Sequence, residues 1–443
     1  MVELLNGAGL YLADLFMGQP DGGRSLVLLF PFLLLVELPV TALVVLGVFR
    51  WYLRRMHRLP RSIRYAPKVS CIITCYSEGR DVQQTLQTLC EQRYQGEIEL
   101  IPVVDGAAQN RDTLQAVRDF KLDRSLYPNC HMKPIAKWQR GGRVSSLNAG
   151  LQAATGEIVL SLDGDTSFDN NTITEIVRHF EDPDVPAVSG SLRVRNARNS
   201  LATRIQELEY FLSIHTSKTG LSEWNVVNNI SGAFGAFRRD FLIQAGGWDT
   251  HTAEDLDITL RIKSYFGRNH YRIPFEPRAM GHTDAPDTFA GFFKQRVRWD
   301  GDLFFLYVRK HWKSISPRLL GWRNFLMILV TGFFFQMMLP FLITGFLLYA
   351  LIAQPGPVVL ALGALVYLVY LAMTLMLYLV GLLLVSERPG QDLRMLAVIP
   401  VFPIFMLASR CWGVICILNE ALLRGHEESS MAPWWVLKRG RRF

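Results

Sequence analysis

Between Asn324 and Ser386 the chain carries no Asp, Glu, Lys or Arg, a tract too long and too apolar to sit within an ordinary water-soluble domain. It is interrupted once, at Ala353-Gln354-Pro355-Gly356-Pro357. Because a helix needs roughly 20 residues to cross about 30 Å of hydrocarbon, the tract predicts two spans, 323–352 and 357–386, joined by a tight turn. A second apolar run, 25–49, is charged only at Glu37 and predicts a first span. A third, 395–419, contains Pro400, Pro403 and Arg410, and predicts either a fourth span or a helix lying at the interface.

Charge orients these segments. The chain has a formal net charge of +8, and much of the excess follows the first span, at Arg50, Arg54, Arg55, Arg58, Arg61 and Arg64. Such a flank marks the cytoplasmic side, so 50–67 reads as a basic cytoplasmic linker and 1–24 as an extracytoplasmic segment. No basic face interleaved with aromatics follows, which argues against a nucleic-acid partner. The 25–49 run is too long for a cleaved leader and lacks a small-residue processing site. Four spans would place 420–443 outside, exposing Lys438, Arg439, Arg441 and Arg442 against the positive-inside tendency; an interfacial 395–419 would leave the tail inside. The six cysteines have no paired His/Cys spacing and read as reduced thiols.

Between the first and second spans lies a stretch of ordinary globular composition, 68–285. Val69 to Cys75 reads as a buried strand, and Asp81 to Cys90 places Val82, Leu86 and Leu89 at helical spacing. A strand from Glu97 ends at Asp105-Gly106; a helix around Leu114, a short strand before Lys137, a helix from Ser145 and a strand from Glu157 to Leu162 follow. This βαβ rhythm predicts a mostly parallel sheet. Ligands of such sheets bind beyond the carboxyl ends of the strands, where Ser77-Glu78, Asp105-Gly106 and Asp163-Gly164-Asp165 all fall.

In Asp163-Gly164-Asp165 two carboxylates are held close together and the glycine lets a ligand approach the backbone. Hard oxygen donors suit Mg2+ or Mn2+, with substrate phosphates completing the shell; alone, the triplet reads equally as an Asp-Gly turn capping a helix. Glu254, Asp255 and Asp257 precede a helical segment, Ile258 to Ser264, which suits the helix dipole and would also supply one general base. Gln295-Arg296-Val297-Arg298-Trp299 lies where Phe289, Phe293 and Val297 share one helical face and Gln295, Arg298 and Asp302 roughly the other. The pattern predicts interfacial helices over 286–322, apolar side to lipid and polar side to the site; a plain amphipathic connector has the same pattern. Arg offers fixed donors to phosphate, and Trp a flat face to a sugar ring. Gly141-Gly142-Arg143 reads as a phosphate-friendly turn, and Asn229 to Asp240 as a small-residue strand or loop. His282 has no obvious partner in sequence and reads as structural.

Taken in order, Tyr76-Ser77-Glu78, Val104-Asp105-Gly106, Gly142-Arg143, Asp163-Gly164-Asp165, Glu254-Asp255 and Gln295-Arg296-Val297-Arg298-Trp299 resemble the processive membrane glycosyltransferases of family 2. That group includes cellulose, hyaluronan, chitin-oligosaccharide and poly-N-acetylglucosamine synthases. The resemblance implies an α/β GT-A domain inserted between transmembrane helices of a multi-pass protein of a bacterial inner membrane, with that domain cytoplasmic. It implies a UDP-sugar donor, UDP-N-acetylglucosamine before UDP-glucose, a growing glycan acceptor, and inversion to a β-linkage. Tyr76, Glu78 and Asp105 would hold uridine, and Arg143 the diphosphate. Asp163 and Asp165 would position donor and metal, with Asp255, beside Glu254, as the base. Gln295, Arg298 and Trp299 would line the diphosphate and acceptor end. Ser77 replaces a common Asn, Arg143 a common Lys, and Ala253 a common Thr, while Asp300-Gly301-Asp302 after the Trp is unfamiliar.

A polymer made inside must cross the bilayer, and a path near Phe333 to Gln336, free of ionisable residues, is expected. A thin four-helix channel would suit a small accessory membrane subunit or a homo-oligomer in contact with membrane lipid. Two other readings remain: transfer of one sugar to a lipid acceptor, and a silent scaffold that kept the fold.

Overall fold

A computed structural model of the chain describes residues 7, 32–57, 65–250, 252–428 and 432–437. The expectations for most of 1–31, for Arg58, Arg61 and Arg64, and for Lys438, Arg439, Arg441 and Arg442 lie outside the described residues.

Strands β1 (Val69–Cys75), β2 (Ile98–Val104), β3 (Cys130–Met132), β4 (Ile135–Ala136), β5 (Ile158–Asp163), β6 (Ser167–Phe168), β7 (Ala187–Val194), β8 (Phe234–Arg238) and β9 (Phe275–Thr283) form one sheet in the order β3-β2-β1-β5-β8-β7-β9-β6, with β4 also pairing β2. Every residue of β1 and β2 is buried, because helices cover both faces. Val82, Leu86 and Leu89 of Asp81–Cys90 pack beneath one face with Cys71 and Ile73. Val144, Leu147 and Leu151 of Gly142–Ala153, with Ile258 and Ile262 of Glu254–Lys263, cover Ile72 on the other.

Parallel pairings predominate, as expected, but the sheet is mixed. β3, β2, β1 and β5 run parallel, as do β7 and β9, whereas β8 runs antiparallel to β5 and to β7, and β6 antiparallel to β9. The βαβ rhythm stops at β5. Residues 201–223 connect β7 to β8 without recrossing the sheet, so the chain re-enters at the same end and β8 points the other way.

That connection also docks the first apolar helix. A Cβ on Gly47 would lie 2.2 Å from the Gly220 carbonyl oxygen, and one on Gly220 would lie 2.2 Å from that of Val44, so two glycines permit the close crossing. Trp224 Nε1 donates to the Leu43 carbonyl at 2.9 Å, and Arg54 pairs with Glu223 at 2.8 Å.

Among the described residues four helices are long and apolar enough to cross a membrane: Leu33–Met56, Pro317–Ala353, Gly356–Val385 and Phe402–Leu423. The second is broken at Gly321, whose φ of 72° and ψ of 151° separate a short leading turn from the continuous helix. After Val385 the chain is clamped to the sheet domain: Arg193 pairs bidentately with Asp392 at 2.9 Å, and Arg388 donates to Asp169 at 2.6 and 2.8 Å. The 395–419 segment starts as a 3-10 turn, Leu393–Val398, and becomes a helix only at Phe402.

The predicted greasy face of Phe289–Phe304 packs in part on the Phe402–Leu423 helix, although Phe289 stays exposed. Phe289 and Phe293 lie 5.7 and 6.1 Å from the Phe405 ring, and Trp412 donates to the Phe293 carbonyl at 3.0 Å. Two amphipathic helices bury their apolar sides on each other.

Candidate active site

The crevice forms where β1, β2 and β5 end. Beyond β1 the chain turns sharply: Ser77 has φ 71° and Gly79 φ 57°, and their amides donate to the Asn110 and Thr113 side chains at 3.3 and 3.0 Å. This aims Tyr76 outward, where the Arg140 guanidinium stacks 4.1 Å from its ring centroid. Beyond β2, Asp105 is 3% exposed and fully engaged. Its Oδ1 accepts from Lys137 Nζ at 2.7 Å and from the Gly141 amide at 2.9 Å, and its Oδ2 from the Gly142 amide at 2.8 Å. Asp105 thus fixes the Gly141-Gly142 turn beside Arg140. Lys137 and Arg140 were not singled out from sequence, though both sit just before that glycine pair.

Gly142–Ala153 carries Arg143 into the centre of the crevice. Its Nη1 donates to Thr74 Oγ1 at 2.9 Å and to Asp163, its Nε to Glu254, and its Nη2 to the Gly232 carbonyl at 2.7 Å. The guanidinium therefore joins the end of β5 to the start of Glu254–Lys263. Burial opposes the charge, but Asp163 and Glu254 together hold Arg143 above its ordinary pKa.

Asp163 and Asp165 are half-buried on either side of Gly164, and Glu78 leans over them. A Cβ at Gly164 would lie 2.9 Å from the Thr74 carbonyl and 3.2 Å from the Glu78 carboxyl carbon, so only glycine fits between these acids. Burial, then the other carboxylates, push Glu78 up to about 7 and Asp165 up to about 6. The buried Oε2 of Glu78 has no hydrogen-bond partner among the described residues. Crowded, under-neutralised oxygens of this kind fit a divalent cation such as Mg2+ or Mn2+. No group of three His, Cys, Asp or Glu side chains is poised as a complete cage among the described residues. The donor set therefore leaves coordination positions for phosphate oxygens. A cation held there would neutralise a departing diphosphate.

Glu254 and Asp255 face the same space with different surroundings. Glu254 is 7% exposed; burial raises its pKa even against Arg143, which occupies Oε1. Asp255 is half-buried, with Asn229 Nδ2 3.3 Å from Oδ2. Gly232 keeps the approach open, since a Cβ there would sit 3.5 Å from Asp255 Oδ2. Asp257 points away: burial pushes its pKa up, but His311, Arg261 and Lys310 hold it well below the usual carboxylate range. Of the three acids predicted together, Asp257 is thus a packing hub and Asp255 is the one free to meet a ligand.

On Phe289–Phe304, Arg296 pairs with Glu209 at 2.6 and 2.7 Å and lies over the Trp299 ring at 4.6 Å. The ion pair and cation–π contact lock the tryptophan against the domain, where it packs on the main core beside Tyr210 and Ile214. Buried Gln295 Oε1 has no hydrogen-bond partner among the described residues, an acceptor suited to a hydroxyl donor. His282 acquires a partner that sequence did not reveal: its Nε2 lies 3.0 Å from Asp169 Oδ1.

A curled mixed sheet with acids at its carboxyl edge is the GT-A arrangement. The profile described as "Glycosyltransferase like family 2" matches residues 67–301, more than half of the chain. The chain belongs to glycosyltransferase family 2. This family 2 glycosyltransferase is 31% identical over 255 residues to a poly-beta-1,6-N-acetyl-D-glucosamine synthase of Staphylococcus epidermidis, covering 57% of this chain and 58% of that protein. It is 30% identical over 232 residues to a synthase of the same name from Staphylococcus aureus strain COL, covering 52% and 53%. The matched stretch therefore spans little more than half of these relatives. A mannosyltransferase from Pyrobaculum calidifontis, solved in complex with GDP-Man and Mn2+, superposes with a TM-score of 0.53 at 19% identity, over 87% of this chain and 99% of that one. At that identity the likeness is one of fold.

Proposed function

We propose that this glycosyltransferase is a processive polysaccharide synthase that extends a β-linked glycan from a UDP-sugar, UDP-N-acetylglucosamine before UDP-glucose, and passes the product into its membrane helices. One observation carries the reading: a cavity of about 350 Å³ reaches from Arg296 and Asp300, beside Trp299, to Glu37, Gln336, Tyr370 and Arg410 of the apolar helices. A transferase that added one sugar to a lipid would have no use for a polar passage there. Gln336 lies where a path was expected. Glu37 supplies an ionisable group that the 324–386 tract lacks, and a charged side chain within a spanning helix is costly enough to mark a pathway; Arg410 lines the same cavity from Phe402–Leu423. Tyr370 donates to Glu37 at 2.8 Å, and Arg410 to the Phe335 carbonyl at 2.7 Å.

In the proposed reaction Tyr76 and Arg140 clasp the uracil, and Asp105 braces the turn beside it. Asp163 and Asp165 would hold a divalent cation, which would neutralise the donor diphosphate, and Arg143 ties Asp163 to Glu254. Asp255 takes the proton from the acceptor hydroxyl as it attacks the anomeric carbon, and UDP leaves from the opposite face, inverting that centre. Trp299 and Gln295 hold the terminal sugar so that the next hydroxyl meets the same base.

We further read Phe402–Leu423 as interfacial, with three spanning helices. It runs alongside Phe289–Phe304 from Phe405 near Phe289 to His426, whose ring stacks 4.3 Å from that of Phe305. Asp392 just before it and Glu420 near its end both contact the catalytic domain or its flanking helix, through Arg193 and Arg309. Length and composition alone allow it to cross, but a helix tethered at both ends to one side does not. The catalytic domain and the basic tail then share the cytoplasmic side.

The test is product size. Purified protein in detergent, given Mg2+ or Mn2+ and labelled UDP-sugars, should make long chains cut by linkage-specific hydrolases. A single organic-soluble glycolipid would overturn processivity, and no transfer from any UDP-sugar would overturn the donor class.

A further inference from the structure

Asp302 lies outside every motif assigned above, three residues past Trp299, yet it is 5% exposed. It accepts a hydrogen bond from the Thr252 hydroxyl, which is also buried. Thr252 stands two residues before Glu254, and the residue between, Ala253, has φ 48° and ψ 45°. For alanine this left-handed conformation is strained, and it persists only where neighbours over-determine it. No side chain caps the helix that begins there, so the turn is held from outside it. Arg143 holds the far side through Glu254; the Thr252–Asp302 hydrogen bond holds the near side.

The other surroundings of Asp302 tie the contact to the membrane side. A Cβ on adjacent Gly301 would sit 3.5 Å from that of Glu420, whose carboxylate accepts from the His426 amide at 2.9 Å and meets His426 Nδ1 at 2.7 Å. The catalytic turn and the last apolar helix therefore both meet the acceptor-side helix at neighbouring residues, Asp302 and Gly301.

We infer that Asp302 is a positioning residue: through Thr252 it holds the turn that carries Asp255 in register with the Trp299 helix, and so sets the base against the acceptor hydroxyl. Burial pushes its carboxyl up to about 8, and an amide mimics its neutral form. A misplacement of about 1 Å can cost roughly 100-fold in rate, which is the scale of the expected effect. This inference rests on Asp255 being the base.

The experiment compares Thr252→Val, Asp302→Ala, Asp302→Asn and the Thr252→Val/Asp302→Ala double in steady-state transfer from UDP-N-acetylglucosamine, with UDP binding measured separately. Thr252→Val and Asp302→Ala should each lower kcat roughly 10- to 100-fold while donor KM and UDP affinity stay put. The double should fall no further than the worse single, because the two act as one unit. Asp302→Asn should keep most activity, since its amide oxygen still accepts from Thr252. Normal kcat in Thr252→Val, an effect on KM alone, or additive losses would overturn the inference; if Asp302→Ala does not fold, near-isosteric Thr252→Val decides it. Asp255→Asn, run alongside, separates the two claims: if it turns over normally the base reading fails, whereas a dead Asp255→Asn with normal Thr252→Val sinks the positioning role alone.

Discussion

Arg143 reaches across the crevice to Glu254, 111 positions later in the chain, while the same guanidinium grips Asp163 at the end of β5. One buried cation thus spaces the metal-side acid from the acids of the catalytic turn. Its side chain is only 11% exposed, so its removal leaves Glu254 uncompensated in a poorly solvated place.

Arg143→Ala should therefore destabilise the fold by about 3–5 kcal/mol, the usual cost of breaking a buried ion pair from one side. Arg143→Lys should recover part of this, because a lysine keeps the charge but cannot span Thr74, Asp163, Glu254 and Gly232 together. Thermal unfolding in detergent, followed by tryptophan fluorescence, orders the three proteins. Arg143→Ala as stable as wild type would show that the bridge contributes nothing.

Lys263 gives a pH prediction of opposite sign. It is 1% exposed, its Nζ makes no hydrogen bond among the described residues, and burial lowers its pKa to about 7. The ordinary value is about 10.4, so the folded state resists the proton that the unfolded chain accepts. Stability is undiminished above the unfolded value, falls as pH drops toward 7, and levels off below it. Lys263→Met should raise the unfolding temperature at pH 7, by a free energy on the order of a few kcal/mol, and the gain should shrink toward pH 10. A pH-independent difference would contradict the assignment.

The reading of Phe402–Leu423 as interfacial predicts a C-terminus on the cytoplasmic side. An epitope added after Phe443 should be protected from protease in intact spheroplasts and cleaved in inside-out vesicles. The reverse pattern would mean that the helix crosses.

Much of this site was legible before any coordinates. Val69–Cys75 and Asp81–Cys90 were readable to the residue because burial on both sheet faces and a helical stripe leave local periodicities. The acids at the ends of β1, β2 and β5 followed from parallel-sheet logic. What stayed hidden depends on distant pairing. The β7–β8–β9 half has no βαβ rhythm to betray its strand directions. Thr252 and Asp302 lie 50 positions apart, and nothing in either neighbourhood names the other. Phe289 and Phe293 read as lipid-facing because hydrocarbon and an apolar partner helix select the same side chains. Lys137 and Arg140 were passed over since a lone cation before a glycine turn is common on any surface.

The most direct test of the account is transfer by purified wild type and Asp255→Asn, each given labelled UDP-N-acetylglucosamine and Mg2+ or Mn2+, with UDP binding and product length measured on the same samples. Wild type should build long polymer; Asp255→Asn should bind UDP equally well and lose at least roughly 100-fold in transfer, the scale of a missing general base. Undiminished polymer from Asp255→Asn, or none from wild type with any UDP-sugar, would contradict it.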